Sequence, residues 1–181
     1  MLYNETVTLK NGQELLLRNG CGDDAVAVLE NFNRTHGETD YLLTYPEESH
    51  FTEEQERAFL EGKASSPNEA EILAIVDGCV AGTAGIDAIG GQYKLRHRAE
   101  YGVSILRAYW GLGIGRALTR ACIACARQAG YTQLELTVVA ENARAVALYR
   151  SLGFTEYGRN PRGFRSRESG YQETVHMRLE L

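Results

Sequence analysis

Residues 110–118 read Trp110-Gly111-Leu112-Gly113-Ile114-Gly115-Arg116-Ala117-Leu118, three alternating glycines between the apolar run 99–106 and a helical pattern that carries Arg116 and Arg120. Glycine thus falls where a strand hands over to a helix. The first N–H groups of a helix have no intrahelical partner and carry the positive end of its dipole. Glycine removes the Cβ atoms that would hold an anion away. The stretch predicts a cradle for a pyrophosphate.

Two familiar nucleotide loops do not fit it. A Walker A loop needs Lys followed by Ser or Thr after its last glycine, and Arg116-Ala117 follows Gly115. A dinucleotide fingerprint needs Gly-x-Gly-x-x-Gly or Ala early in a βαβ unit, whereas these glycines come late in a chain that opens with antiparallel strands, and Arg116 stands where the third small residue belongs. Three glycines in an ordinary loop remain the plainer reading of this segment alone.

Working outward, Ala99–Leu106 reads as the strand before the glycines, and the helix after them runs to about Ala129, with Gly130 as its stop. Leu134, Leu136 and Val138 alternate as in a strand. Asn142 caps a helix containing Val146 and Leu148, ended by Gly153. Upstream, Asn11-Gly12 and Asp77-Gly78 mark two hairpins, with strands on either side of Asn11-Gly12 between Val7 and Arg18 and, for the second, Ile72–Val76 and Val80–Ile89. Asp23 or Asp24 caps a helix with Val26, Leu29 and Phe32 on its apolar side. Thr52 and Gln55 form a capping box for another with Phe59 and Leu60. Strands at Phe154–Gly158 and Glu173–Leu181 close the chain around an Arg- and Gly-rich loop.

With 181 residues and 44% hydrophobic side chains, one domain over 1–181 with a single core is expected. The N-terminus lacks the charged-then-apolar order of a signal peptide, and no apolar run approaches spanning length. A cytoplasmic location away from membranes is the expectation. Cys122 and Cys125 form a C-x-x-C, but they share helical spacing with Leu118 and Ala126, so all four cysteines read as reduced thiols and this pair as packing. His36, His50 and His176 have no metal-ligand spacing, and no metal is expected. The net charge of −5 argues against nucleic acid as an extended partner. Its distribution is uneven: 103–127 and 159–167 hold arginines and no acid, while 37–61 holds eight acids and Arg57. One region suits an anionic ligand, the other a cationic one.

Asn142-Ala143-Arg144-Ala145-Val146-Ala147-Leu148-Tyr149-Arg150-Ser151-Leu152-Gly153-Phe154 resembles, without a mismatch, the N-x-x-A-x-x-L-Y-x-x-x-G-F signature of the GNAT N-acetyltransferase superfamily, and residues 110–115 resemble its [QR]-x-x-G-x-[GA] signature with Trp110 in place of Gln or Arg. The signature core covers 99–158. The resemblance implies a mixed, mostly antiparallel α/β sheet with helices on both faces, and two central parallel strands splayed to hold acetyl-CoA. It also implies that Val103 and Ile105 bond pantetheine through their main chains. Gly111, Leu112, Gly113, Gly115 and Arg116 would hold the pyrophosphate, Asn142 and Ala145 would touch the pantetheine arm, and Arg116, Arg120 or Arg150 would meet the 3′-phosphate. Homodimers are common among proteins that look like this.

Acetyl transfer from acetyl-CoA to an amine needs a neutral nucleophile, a donor for the carbonyl oxygen and an acid for the departing thiolate. A strand N–H near Val103 or Ile105 serves the second need. Tyr149 is the candidate acid; its plainer reading is a ring packed in the core with its hydroxyl at the rim. Glu100 and His97 are alternative bases, each with a plainer reading as a surface group. Tyr171 and Glu173 are further candidates on the acceptor side. The acidic block at 37–61 would draw a cationic acceptor, or it is simply a solvated helix face. The rivals are a transferase for longer acyl-CoA and a non-catalytic CoA-binding module.

Overall fold

The computed structural model describes residues 1–48 and 50–181. Eight strands form one sheet: β1 (Asn4–Thr8), β2 (Glu14–Asn19), β3 (Ala70–Val76), β4 (Cys79–Ala88), β5 (Arg98–Ile105), β6 (Gln133–Val139), β7 (Thr155–Ser166) and β8 (Gly170–Glu180). Their spatial order is β1-β2-β3-β4-β5-β6-β8-β7, antiparallel throughout except for the parallel pair β5–β6. The α-helices among the described residues are α1 (Ala25–Glu38), α2 (Glu53–Ser65), α3 (Ile114–Gln128) and α4 (Ala143–Ser151). The mixed α/β fold expected from the sequence is the one observed.

Local chemistry explains most of the elements. Asp77 and Gly78 both take positive φ, +49° and +79°, which matches the right-handed twist of the β3–β4 hairpin they join. The capping box at the start of α2 is closed: Gln55 N–H donates to Thr52 Oγ1 at 3.3 Å, and Thr52 N–H to Gln55 Oε1 at 2.9 Å.

The two faces of the sheet are buried by different helices. Leu118, Ala121, Cys122 and Ala126 of α3 pack with Tyr149 of α4 onto Ile72, Ile86, Tyr101, Leu134 and Leu136. On the opposite face, Ala25 and Val28 of α1 and Leu60 of α2 pack onto Leu73. Each fully enclosed leucine contributes about 2 kcal/mol. Cys122 and Cys125 lie in the α3 core as free thiols, and burial pushes both up, Cys125 to about 11. They pack as small apolar residues.

Two expectations need correcting. The spacing puts the apolar face of α1 on Val26, Leu29 and Phe32, but the helix buries Ala25, Val28, Asn31 and Thr35 and leaves Val26 49% exposed. Polar groups displaced the apolar stripe: Asn31 Nδ2 donates to the Val80 carbonyl at 2.8 Å while its Oδ1 stays unpartnered, and the Thr35 hydroxyl donates to the Asn31 carbonyl at 2.8 Å. The preceding Asp24 makes no cap bond to α1: it pairs with Arg18 and accepts from Cys21 N–H at 2.9 Å. The second correction concerns the Arg- and Gly-rich loop, most of which is strand. β7 runs to Ser166 and β8 begins at Gly170. Register shifts between Glu156 and Gly158 and between Asn160 and Phe164 erase the alternation by which a strand is read, and Pro161 is tolerated because β7 is an edge.

Candidate functional site

β5 and β6 pair only at Arg98–Gln133, Ala99–Leu134 and Glu100–Glu135. Beyond Glu100, β5 stays with β4 as far as Ile105, and β6 stays with β8 as far as Val139. The centre of the sheet therefore opens into a gap. In an extended strand, successive residues turn their main-chain groups to opposite sides. Leu106 N–H bonds Ala81 and the Arg98 carbonyl accepts from Ile89, whereas the His97 carbonyl accepts from Thr132 and Gln133. Odd-numbered residues of β5 hence face the gap, Val103 and Ile105 among them. The same alternation turns Thr137 and Val139 inward from β6, since Ala140 N–H bonds Glu173 on β8.

At the mouth, two of these groups are already committed. The indole N–H of Trp110 donates to the Ile105 carbonyl at 2.8 Å, and Asn142 N–H donates to the Val139 carbonyl at 3.0 Å. What remains is a slot edged on β5 by Val103 N–H and C=O and by Ile105 N–H, and on β6 by the inward main chain of Thr137 and by Val139 N–H. Buried main-chain groups need partners, and an extended amide-bearing chain laid between the strands supplies them. Trp110, the one departure from the glycine signature, thus leaves Ile105 only its N–H to offer. Arg144 stacks on the same indole at 4.2 Å, which joins the ends of the two splayed strands.

The cradle lies at this mouth. Gly111 and Gly113 hold φ of +83° and +105°, a region costly for residues with a Cβ, and Gly113 is the N-cap of α3 without a side chain to cap it. The first amides of α3, at Ile114, Gly115 and Arg116, are left without an intrahelical acceptor. Leu112 is fixed through its carbonyl by Lys10 N–H at 3.2 Å. A Cβ on Gly115 would stand 3.2 Å from Leu148 Cδ2 and 3.3 Å from Ile105 Cδ1, so this glycine lets α3, α4 and the end of β5 meet. The Arg116 side chain donates to Ser151 at 2.7 Å, Arg150 pairs with Glu156 at 3.3 Å, and exposed Arg120 makes no ion pair among the described residues.

Tyr149 projects from α4 into the aromatic cluster beside the gap, its ring 6.1 Å from that of Tyr101 and 5.8 Å from that of Phe154. Burial pushes its phenol well up, so it stays protonated at neutral pH. The hydroxyl bonds to nothing among the described residues, yet the only sealed, unpartnered side-chain atoms there belong to Asn19 and Asn31. It therefore keeps an opening. Asn142 is half committed: its Oδ1 accepts from Ala145 N–H at 3.2 Å, which leaves the Asn142 amide NH₂ free and removes the Ala145 N–H from use.

Glu100 stands on the other face of the sheet, where the parallel pairing ends. Its neighbour Glu135 is locked by Arg98 and by Tyr157 Oη at 3.1 Å, with Arg98 holding its carboxyl below the usual range. Glu100 is exposed and unpaired among the described residues. His97 lies at the closed end, about 20 Å of extended chain from Val103, so the structure does not bring it to the gap. Tyr171 is 56% exposed under Arg162, and Glu173 pairs with Arg159 at 3.1 Å.

Much of the acidic block has structural employment. Asp40 accepts from the hydroxyls of Ser166 and Ser169 at 2.7 and 2.8 Å and from Gln172 Nε2 at 3.1 Å, which staples the α1–α2 loop to the tip of the β7–β8 hairpin. Glu38 accepts from Arg107 N–H at 2.6 Å, and Glu47 pairs with Arg167. Sequence reasoning missed this staple, and also Gly85 and Gly102, adjacent across β4 and β5. Glycine inside two neighbouring strands was the available signal, since it marks a close approach.

Comparisons with known proteins agree with this architecture. Residues 27–154 match the model of the Acetyltransferase (GNAT) family. The chain is 36% identical over 101 residues to the N-alpha-acetyltransferase RimI of Mycobacterium tuberculosis, covering 56% of this chain and 61% of that protein. Among solved structures, an acetyltransferase of GNAT family from Streptococcus pneumoniae is similar with a TM-score of 0.88 at 31% identity, over 92% of this chain and 99% of that one. The fold is shared, at 23% identity and a TM-score of 0.80, by YncA of Salmonella typhimurium, a putative acetyltransferase solved with acetyl-CoA; coverage is 92% of this chain and 94% of that one.

Proposed function

This chain belongs to the Acetyltransferase (GNAT) family, and from that premise we propose that it moves an acetyl group from acetyl-CoA to a primary amine by direct attack, with residues 1–181 acting as one transferase domain. The observation that carries the reading is the gap: β5 and β6 part beyond Glu100, Val103 and Ile105 turn main-chain groups into the opening, and α3 starts uncapped just after β5. YncA, which shares the fold, was solved with acetyl-CoA.

Acetyl-CoA would supply the activated thioester. The amides at Ile114, Gly115 and Arg116 would grip its pyrophosphate, with Gly111, Leu112 and Gly113 shaping the approach. Val103 N–H, Val103 C=O and Ile105 N–H would pair with the pantetheine amides, and the Asn142 NH₂ would touch the same arm, with the Ala145 methyl beside it. A gap-facing N–H of β5 would stabilise charge on the thioester oxygen. Tyr149 would donate to the departing sulfur, and Glu100, on the face away from α3 and α4, would receive the amine.

The test is release of CoA against a panel of ethanolamine, α,ω-diamines, L-amino acids and peptides with free N-termini, with acetyl-, propionyl- and butyryl-CoA as donors. Turnover with acetyl-CoA and at least one amine is expected. Tight acetyl-CoA binding with no turnover on any amine would instead make the chain a CoA-binding module, and a preference for butyryl-CoA would change the donor.

A further inference from the structure

On the face that carries α1 and α2, the register places Glu71 of β3, Gly85 of β4 and Gly102 of β5 in one row across the sheet. The next strand, β6, has by this level swung away, so the row runs from Glu71 to the lip of the gap. Two glycines leave its floor bare. A Cβ on Gly85 would overlap Glu71 Oε2, so the carboxylate lies across β4 towards β5, whereas a Cβ on Gly102 would meet nothing within 4 Å. The result is a bare floor at exposed Gly102, with the Glu71 carboxylate over Gly85 on one side and Glu100 two residues before it on β5.

Glu71 has no cation of its own. Lys63 of α2, the nearest, is committed to Asp87, to Glu69 at 3.6 Å and to the Ile86 carbonyl at 3.4 Å. Glu56 from α2 and Asp87 from β4 also face Glu71, and both disfavour its charge. Loss of water is the larger effect, and together they push the carboxyl up to about 7 despite Lys63 and the Thr83 hydroxyl. A base whose proton affinity matches the medium both takes and releases protons readily.

Resting on the acetyl-transfer reading, we propose that Glu71 is the final proton acceptor of the reaction, reached from the amine through water standing over Gly102. Strands lie about 4.8 Å apart, so a carboxylate over Gly85 is about 10 Å from the middle of the gap. That is too far for direct contact and is spanned by two waters. In the step, an ammonium N–H bond breaks and, through the water, a Glu71 O–H bond forms. The freed lone pair makes the C–N bond as the C–S bond breaks, the Tyr149 proton goes to sulfur, and the second surplus proton on nitrogen restores the phenol. Glu71 then returns its proton to solvent, so one proton is released per acetyl group transferred. Glu100 draws the cation in.

The experiment compares wild type with Glu71→Gln on two amines: the fastest panel amine, and trifluoroethylamine, whose fluorines leave it largely neutral at pH 7. For the basic amine, kcat/KM in wild type should rise with pH through about 7. In Glu71→Gln that limb should vanish and the rate at pH 7 fall about 100-fold, while trifluoroethylamine loses under about 3-fold and acetyl-CoA affinity, read from the fluorescence of Trp110, the sole tryptophan, is unchanged. A second variant, Gly102→Val, keeps both carboxylates and fills the water site; it should slow the basic amine about 10-fold. An unmoved limb in Glu71→Gln, equal losses on both amines, or an unchanged rate in Gly102→Val overturns the proposal. A wild-type protein that binds acetyl-CoA yet acetylates no amine overturns the transferase reading, and the role of Glu71 with it.

Discussion

The two faces of the central gap are built by different means. On the side of α3 and α4, the groups we propose to work are backbone amides and one phenol, set by positive-φ glycines, a helix start and an aromatic cluster. On the side of α1 and α2, the shape comes from ionic and polar staples between segments far apart in sequence: Asp40 with Ser166, Ser169 and Gln172, Glu38 with Arg107, Lys63 with Asp87. A motif can encode the first kind, because its parts are neighbours along the chain. The second kind depends on which strands meet. Substitutions on the two sides should accordingly separate effects on the donor and its leaving group from effects on the acceptor and its proton.

The largest separation is expected at Tyr149. Replacing it with Phe keeps the ring against Tyr101 and Phe154 and removes only the hydroxyl. Turnover should fall by about 10² to 10⁴, the usual worth of a positioned acid, with the acetyl-CoA dissociation constant unchanged. Steady-state kinetics with Trp110 fluorescence titration measure both, and wild-type turnover would reduce Tyr149 to a core residue.

Asp40 probes the other side. Asp40→Ala strands Ser166 and Gln172, 8% and 3% exposed, without their shared acceptor. A loss of about 3 kcal/mol in stability is expected from breaking charged hydrogen bonds, together with a raised KM for the amine. Because Glu38 ties α1 to the turn after β5, a weaker grip on acetyl-CoA in this variant would show that the two sides are mechanically one.

The same contrast governs what the sequence made legible. Asn142, Gly113 and Gly153 act within a few residues of themselves, so the helices they bound and the gap between β5 and β6 followed from spacing and from the resemblance. The position of Val103 and Ile105 on the gap came with them. The Trp110 bond to the Ile105 carbonyl, five residues away but around a turn, was not readable, because an indole at that position has no fixed partner. Glu71 was invisible for a stronger reason: its environment comes from α2, β4 and β5. The sequence pattern starts the strand at Ile72 and leaves Glu71 outside it. The polar face of α1 was misread because Asn31 and Thr35 find their partners only after folding.

Glu71 carries a smaller, pH-dependent prediction. Its folded carboxyl titrates near 7, above the ordinary value of 4.5, so ionising it disfavours the fold. Wild-type stability should be full below about pH 4.5 and decline as pH rises through 7. Glu71→Gln lacks that decline and should gain on wild type across this window, by at most about 3 kcal/mol at pH 8. Urea unfolding at pH 4.5 and pH 8 tests it; a gap that fails to widen would mean that the carboxylate is better solvated than its enclosure implies. A carboxylate that costs stability when charged is what the proposed proton acceptor on this side requires.

The smallest effect should come from the cap of α2. Thr52→Ala removes the hydroxyl that accepts from Gln55 N–H, worth about 1 kcal/mol, or about 3 °C in melting temperature for a chain of this size. The helix so loosened carries Glu56 and Lys63, which enclose Glu71, and it touches neither the α3 amides nor α4. If the two sides are separately built, KM for the amine should rise less than about 3-fold while acetyl-CoA affinity stays fixed. A change in acetyl-CoA affinity from so distant and mild a lesion would instead require that the packing of α2 on β3 and β4 is transmitted through β5 to the gap, and the division between backbone-built and charge-built sides would have to be abandoned.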